Sequence, residues 1–359
     1  MFAFFALSLL VLVHESLQSP QDIEAFIKKR PTWSFELESV DKLIKRGAAS
    51  LRRGDRTLTK ADLEDRIRRN VGPETTHILK KIGDPKWPRN PPKSFDAREH
   101  WKECAGLFDQ INDEGFCLTD GPAVAASVIA DRYCIYTNGT VKEKRSAAVL
   151  SSCAEACTSQ PMIHKSFQYA VNNGVPTGGH HNHQTGCVPW VQEPCFHNNL
   201  SYPDNGLFGR NSKKNVKKLE LCSDYERFDL DCPIDCTNGK YDKTMREDSV
   251  YLGNWYYMSA SEFVIRSDIY TYGPISTSIV LFEDFLKKPE GMYKHVKSSF
   301  LAWDKYLKLI GWGEENGNKY WLAVNTWDQW GEDKVFKIPR GENYVFVEFL
   351  MMAGVFGES

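Results

Sequence analysis

Between positions 120 and 134 the chain reads DGPAVAASVIADRYC, and this stretch permits few folds. Asp120 is an N-cap residue by type, and Gly121 and Pro122 suit a first helical turn. Ala123 to Tyr133 then supply a helix that is apolar on most faces, which places it at the centre of a core. The N-terminus of such a helix carries partial positive charge and unpaired N–H groups, so it favours an anion. Position 120 is therefore expected to hold a carboxylate, as an anion, on a rigid buried element.

The rest of the chain says where such a core is built. Its 359 residues suffice for one or two substantial cores, and a net charge of −2 argues against a nucleic-acid partner. Residues 2–13 form an apolar run of signal-peptide length, and a signal peptide over 1–19 is expected; no later run approaches a membrane span. Ten cysteines follow: Cys104, Cys117, Cys134, Cys153, Cys157, Cys187, Cys195, Cys222, Cys232 and Cys236. An even count behind a signal peptide points to disulfides in an oxidising compartment, although sequence alone leaves their connectivity open. Glycosylation sequons at Asn138 and Asn199 agree with secretion.

Residues 20–90 lack cysteine and are rich in basic residues. Amphipathic helices are expected over about 39–53 and about 60–69, the second opened by Thr59 with Asp62 three residues on. Four prolines within residues 84–93 then make an extended linker, so 20–90 has the form of a removable propeptide. Residues 91–359 make up the remaining domain. Its part at 110–240 carries the helices, at 120–134 and about 161–173. Its part at 250–359 carries the runs SVYLGNWYYM, ISTSIVLF, YLKLIGWG, KYWLAVNTW, KVFKI and YVFVEFLMMAGVF, which read as strands of one antiparallel sheet. The fold class is α+β, with two subdomains.

Several fragments together carry a family likeness: SFDAREHW at 94–101, GCVPWVQEPC at 186–195, YGPISTSIVLFEDFLKKPEGMYKHV at 272–296, LIGWGEENGNKYWLAVNTW at 309–327 and WGED at 330–333. In this order they resemble the cathepsin B-like branch of the papain-like cysteine peptidases, over about 94–356. The resemblance implies a helical left domain, a β-sheet right domain and a cleft between them. Such sites use a thiolate at the N-terminus of the central helix, a histidine that pairs with it, an asparagine that orients the histidine, and an oxyanion-hole glutamine. Here Asp120 stands in the nucleophile slot, Lys305 in the histidine slot and Glu114 in the glutamine slot; only Asn325 is kept. No histidine follows His295, which falls at the spacing of another, non-catalytic histidine.

The resemblance also implies a pairing of the cysteines: Cys117 with Cys157, Cys153 with Cys232, Cys104 with Cys134, Cys187 with Cys236 and Cys195 with Cys222. No thiol would then remain to act as nucleophile. The glycine-rich loop that lines a substrate's backbone in the family is replaced here by Thr158, Ser159 and Gln160. The segment 195–222 matches the occluding loop, and in it His197 stands where the family has two adjacent histidines that hold a substrate's C-terminal carboxylate. A lone His197 reads more simply as a loop residue. Glu348 falls where the family has an acid in a substrate side-chain pocket.

These readings lead to an expected secreted, monomeric, non-peptidase homologue, with an endomembrane lumen such as the lysosome as the other location. It would need no cofactor or metal and would bind a protein or peptide ligand at the cleft or at the occluding-loop face. Asp120 and Lys305 would form a salt bridge that keeps the charges of a thiolate–imidazolium pair without its chemistry. Two alternatives stand beside this: an active cysteine peptidase, and a carboxylate hydrolase or cation site built on Asp120 and Glu114, with Asp304 as a further acid. His180, His181 and His183 lack a matching cysteine or carboxylate pattern and read as surface residues rather than metal ligands. The basic run at 211–218 reads as a solvated loop face.

Overall fold

The structure is a computed structural model that describes residues 86, 88–115, 120–154, 163–181, 185–197, 222, 231–258, 261–296, 300–330, 333–349 and 351–357, with side chains at 300–304 left aside. The helices expected over 39–53 and 60–69, and residues 211–218, lie outside these.

The central helix, α1, spans Asp120–Tyr136 and is buried along nearly its whole length. It is two residues longer than its sequence pattern suggests, because Ile135 and Tyr136 continue the turn before Asn138 and Gly139 take positive φ. A second helix, α2, spans Ile163–Asn172 and packs on α1; Gly174, at φ +75°, ends it in the left-handed conformation that glycine tolerates.

The other half is a seven-stranded antiparallel sheet. Its strands are β1 (Phe95–Asp96), β2 (Asn254–Met258), β3 (Ile275–Phe282), β4 (Phe300–Glu315), β5 (Asn318–Val324), β6 (Val335–Pro339) and β7 (Met351–Val355), in the order β2-β7-β3-β4-β5-β6 with β1 added on β4. Gly311 allows that addition, since a Cβ there would lie 2.2 Å from the Phe95 carbonyl oxygen. Two sequence expectations need correction. The run YVFVEFLMMAGVF is not one strand: Tyr344–Phe346 forms a short 3-10 turn, and only Met351–Val355 joins the sheet. The half read as all strand also contains a helix, α3 (Glu262–Tyr272), whose 3.6-residue spacing of Val264, Ile265 and Ile269 the strand reading passed over.

α1 packs against β4 and β7, and its polar residues are what fix it there. Lys308 of β4 donates to Asp131 Oδ2 at 2.7 Å and to Ser127 Oγ at 2.6 Å, with both charged side chains fully buried. Arg132 reaches the opposite way, to Asp268 of α3 and Tyr256 of β2. Four disulfides complete the frame: Cys104–Cys134, Cys153–Cys232, Cys187–Cys236 and Cys195–Cys222. These are four of the five pairs that the resemblance implies; Cys117 and Cys157 lie outside the described residues.

Candidate functional site

α1 begins at Asp120, so its carboxylate enters the seam between helix and sheet. Oδ1 accepts from the Gly121 N–H at 2.9 Å and Oδ2 from the Tyr306 N–H of β4 at 2.8 Å. Tyr306 follows Lys305, whose side chain therefore starts beside Asp120 and runs buried into the same seam.

The Lys305 ammonium does not rest on Asp120 as expected. It donates to Glu114 Oε2 at 2.5 Å and to Thr326 Oγ1 at 2.5 Å, and sits 4.6 Å from the centre of the Trp327 ring. Asp120 Oδ2 is 3.5 Å away. The expected bridge is thus present as the longer arm of a three-charge cluster, and its short arm is Glu114. Trp327 Nε1 donates to Glu114 Oε1 at 2.6 Å and Thr326 Oγ1 to Glu114 Oε2 at 3.1 Å, so the carboxylate in the glutamine slot accepts from three side chains. One ammonium serves two buried carboxylates, and it occupies the position that a divalent cation between Asp120 and Glu114 would need. The side chain of Asp304 lies outside the described residues.

Asn325 is fully buried, with its side-chain oxygen on the Thr326 N–H at 2.8 Å and its amide nitrogen without a partner.

His197 is not a simple loop residue. It is buried, stacks on Trp327 at 5.3 Å, and places Nε2 2.9 Å from Asp113 Oδ1 and Nδ1 3.5 Å from Glu114 Oε1. Its backbone N–H donates to Gln329 Oε1 at 2.7 Å. It thereby ties the loop after Cys195 to the charge cluster. Its ring also lies near Cys195 and Cys222, but those two sulfurs are bonded to each other. Asp113, which the sequence reading passed over, accepts from the N–H groups of Gly115 and Asp328 as well. Burial opposes its ionisation, but His197, the Asp328 N–H and Lys334 together hold its carboxyl below the ordinary value.

Glu348 is a structural acid. It accepts from Trp321 Nε1 at 2.9 Å and from the N–H groups of Gly341 and Asn343, two residues with positive φ. It is 1% exposed and spends its oxygens on holding that turn, which corrects its assignment as a ligand-binding residue. His295 pairs with Asp284 at 2.9 Å and stacks on Phe282. His180 contacts Lys144, and His181 lies 3.4 Å from Glu193; His183 is outside the described residues. Asn138 is exposed in the turn after α1, and Asn199 is not described.

The model of the papain family of cysteine proteases matches residues 91–354. The chain belongs to that family. The chain is similar to cathepsin B-like cysteine proteinase 4 of Caenorhabditis elegans, 29% identical over 272 residues, 74% of this chain and 75% of that protein. It is also similar to a cathepsin B-like cysteine proteinase of Schistosoma japonicum, 28% identical over 338 residues, 92% of this chain and 89% of that one. The solved structure of procathepsin B S9 from Trypanosoma congolense has the same fold, with a TM-score of 0.60 at 24% identity, covering 83% of this chain and 98% of that one. The papain-type α+β architecture follows.

The charge cluster predicts a pH dependence. Burial pushes the Asp120 carboxyl up to about 7, with Lys305 pulling it down and Glu114 pushing it further up. Burial likewise pushes Asp131 up to about 6, against Lys308. A carboxyl whose folded pKa lies above its unfolded one binds its proton more tightly when folded. Between the unfolded value of 3.8 and these raised values, its contribution to stability grows as pH falls. Burial lowers the His164 ring to about 4, which opposes this trend, so the Asp120 contribution is read from a variant: Asp120→Asn is expected to reduce the gain in thermal midpoint, or deepen the loss, between about pH 8 and about pH 5. An unchanged pH dependence in Asp120→Asn would contradict the assignment.

Proposed function

We propose that this papain-family chain does not hydrolyse peptides and acts by binding a peptide or protein ligand at the cleft rim or the occluding-loop face. The observation that carries the reading is Lys305. Its ammonium sits on Glu114 and near Asp120, in the slots where the family's chemistry needs an imidazole, an amide and a thiolate. An ammonium held between carboxylates has no proton-accepting lone pair, and a carboxylate is a poor nucleophile toward an amide. Glu114 stands in the slot of the oxyanion-hole glutamine, and its carboxylate has no N–H to donate to an oxyanion.

The alternative is the activity that family membership alone suggests, cysteine-type peptide hydrolysis. A second, carboxylate hydrolysis or cation binding at Asp120 and Glu114, has to contend with the Lys305 ammonium at their meeting point. Disulfide bonding fits a secreted protein or one in an acidic lumen. The test is hydrolysis of a mixed peptide library by the domain at residues 91–359 and by the full chain, each at acidic and neutral pH. No turnover is expected; turnover abolished by a thiol-directed inhibitor would overturn the reading.

A further inference from the structure

Away from the cleft, residues 142–144, 177–180 and 185–186, with Tyr241, surround a cavity of about 510 Å³. That size suits a small organic ligand. Lys144 and His180 share its wall, and the Lys144 Nζ contacts Nε2 of His180, which also lies 3.4 Å from Gln110 Oε1. The neighbouring cations are paired: Lys142 with Glu103 at 3.0 Å, and Arg145 with Glu143 at 3.7 Å. Lys144 forms no ion pair among the described residues.

Its surroundings favour the neutral amine. Burial comes first, and Lys334 and Lys308 add repulsion; Asp109 and Asp328 pull weakly the other way. The amine is brought down to about 8. A desolvated lysine beside other cations is one of the ways in which an amine becomes nucleophilic near neutral pH. The imidazole in contact with it can move a proton.

We propose that Lys144 and His180 form a carbonyl-binding site for small aldehydes or ketones that carry an oxyanion group, with Lys142 on the same wall exchanging its exposed, weak pairing with Glu103 for that group. The Lys144 lone pair attacks the carbonyl carbon and forms the C–N bond, while the π pair moves to oxygen. His180 carries the two nitrogen protons to that oxygen in turn, the first giving the hydroxyl of a carbinolamine and the second making it a water. The C–O bond then breaks as the nitrogen lone pair forms the second C–N bond, so water leaves and a neutral imine remains. Water is the sole by-product, and no oxidant or reductant takes part. The site rests on different residues from the cleft and holds whether or not the cleft is silent.

The probe is pyridoxal 5′-phosphate, an aldehyde with a phosphate. The intact chain is incubated with it at about pH 7.5, borohydride fixes any imine, and peptide mass mapping locates it. At that pH, an amine of pKa about 8 has a neutral fraction on the order of a hundredfold above an ordinary lysine's. Lys144 is expected to be modified roughly tenfold or more faster than any other lysine, with a rate that levels above about pH 8. Lys144→Arg should remove the fast adduct without shifting thermal unfolding, and His180→Gln should slow it about tenfold. Inorganic phosphate should compete. Modification spread evenly over surface lysines, a fast adduct that survives Lys144→Arg, or a Lys144 rate still climbing at about pH 10 would overturn the proposal. The last readout needs only the unaltered protein.

Discussion

Lys305→Met is expected to lower the folding free energy by about 3–5 kcal/mol at neutral pH, because it leaves the Glu114 and Asp120 carboxylates buried together without their shared cation. The methionine matches the lysine's stem, so the loss reads charge rather than volume. Urea unfolding with disulfides intact measures it from the shift in midpoint at constant slope. Two further results identify the cause. Lowering the pH to about 5 should recover part of the loss, since the Asp120 carboxyl then takes a proton. Adding Glu114→Gln to Lys305→Met should recover more, because removing both charges of a buried pair costs far less than removing one. A loss below about 1 kcal/mol would mean that the cluster is solvated and that Lys305 is not its keystone.

The second large effect concerns the join between the two halves. From α1, the Arg132 guanidinium donates to the Pro274, Gly273 and Gly354 carbonyls, to Tyr256 Oη and to Asp268 Oδ1. These partners lie on α3, β2, β7 and the turn leading into β3. One buried side chain thus holds the central helix to four parts of the sheet half. Arg132→Met should cost about 3–5 kcal/mol, leaving Asp268 buried with Tyr256 as its one side-chain donor among the described residues. Arg132→Lys should recover little, since an ammonium cannot reproduce the planar fork that reaches five acceptors at once. The same urea measurement decides it, and full recovery by lysine would show that charge alone matters.

How much of this was legible in the sequence depends on the range of the interaction. α1 was readable because a helix buried all round carries its signature in consecutive residues. The strands β3, β4 and β5 were readable from their apolar or alternating runs, and α3 was passed over because it sits between strands in a half dominated by them. In the site, the resemblance to the cathepsin B-like family names Asp120, Lys305, Glu114 and Asn325, but not who pairs with whom. Lys305 chose Glu114 because residues 111–115 form an irregular stretch whose course no periodicity encodes. His197 was undervalued for the same reason: nothing near it in sequence foretells that Trp327 and Asp113 will enclose its ring. Glu348 was misassigned because a carboxylate used for backbone N–H groups and one used for a ligand look alike in a sequence. What separates them here is the positive-φ turn at Gly341 and Asn343.

The proposed loss of peptidase activity requires that the buried charge cluster at Asp120 come with no reactive thiol beside it. The direct measurement is the intact mass of the native, unreduced domain after exposure to a peptide-directed thiol alkylating reagent at acidic and neutral pH. The account predicts no adduct at either pH, with label entering only after denaturation and reduction. A single stoichiometric adduct on the native protein, mapped to Cys117 three residues before Asp120, would contradict it.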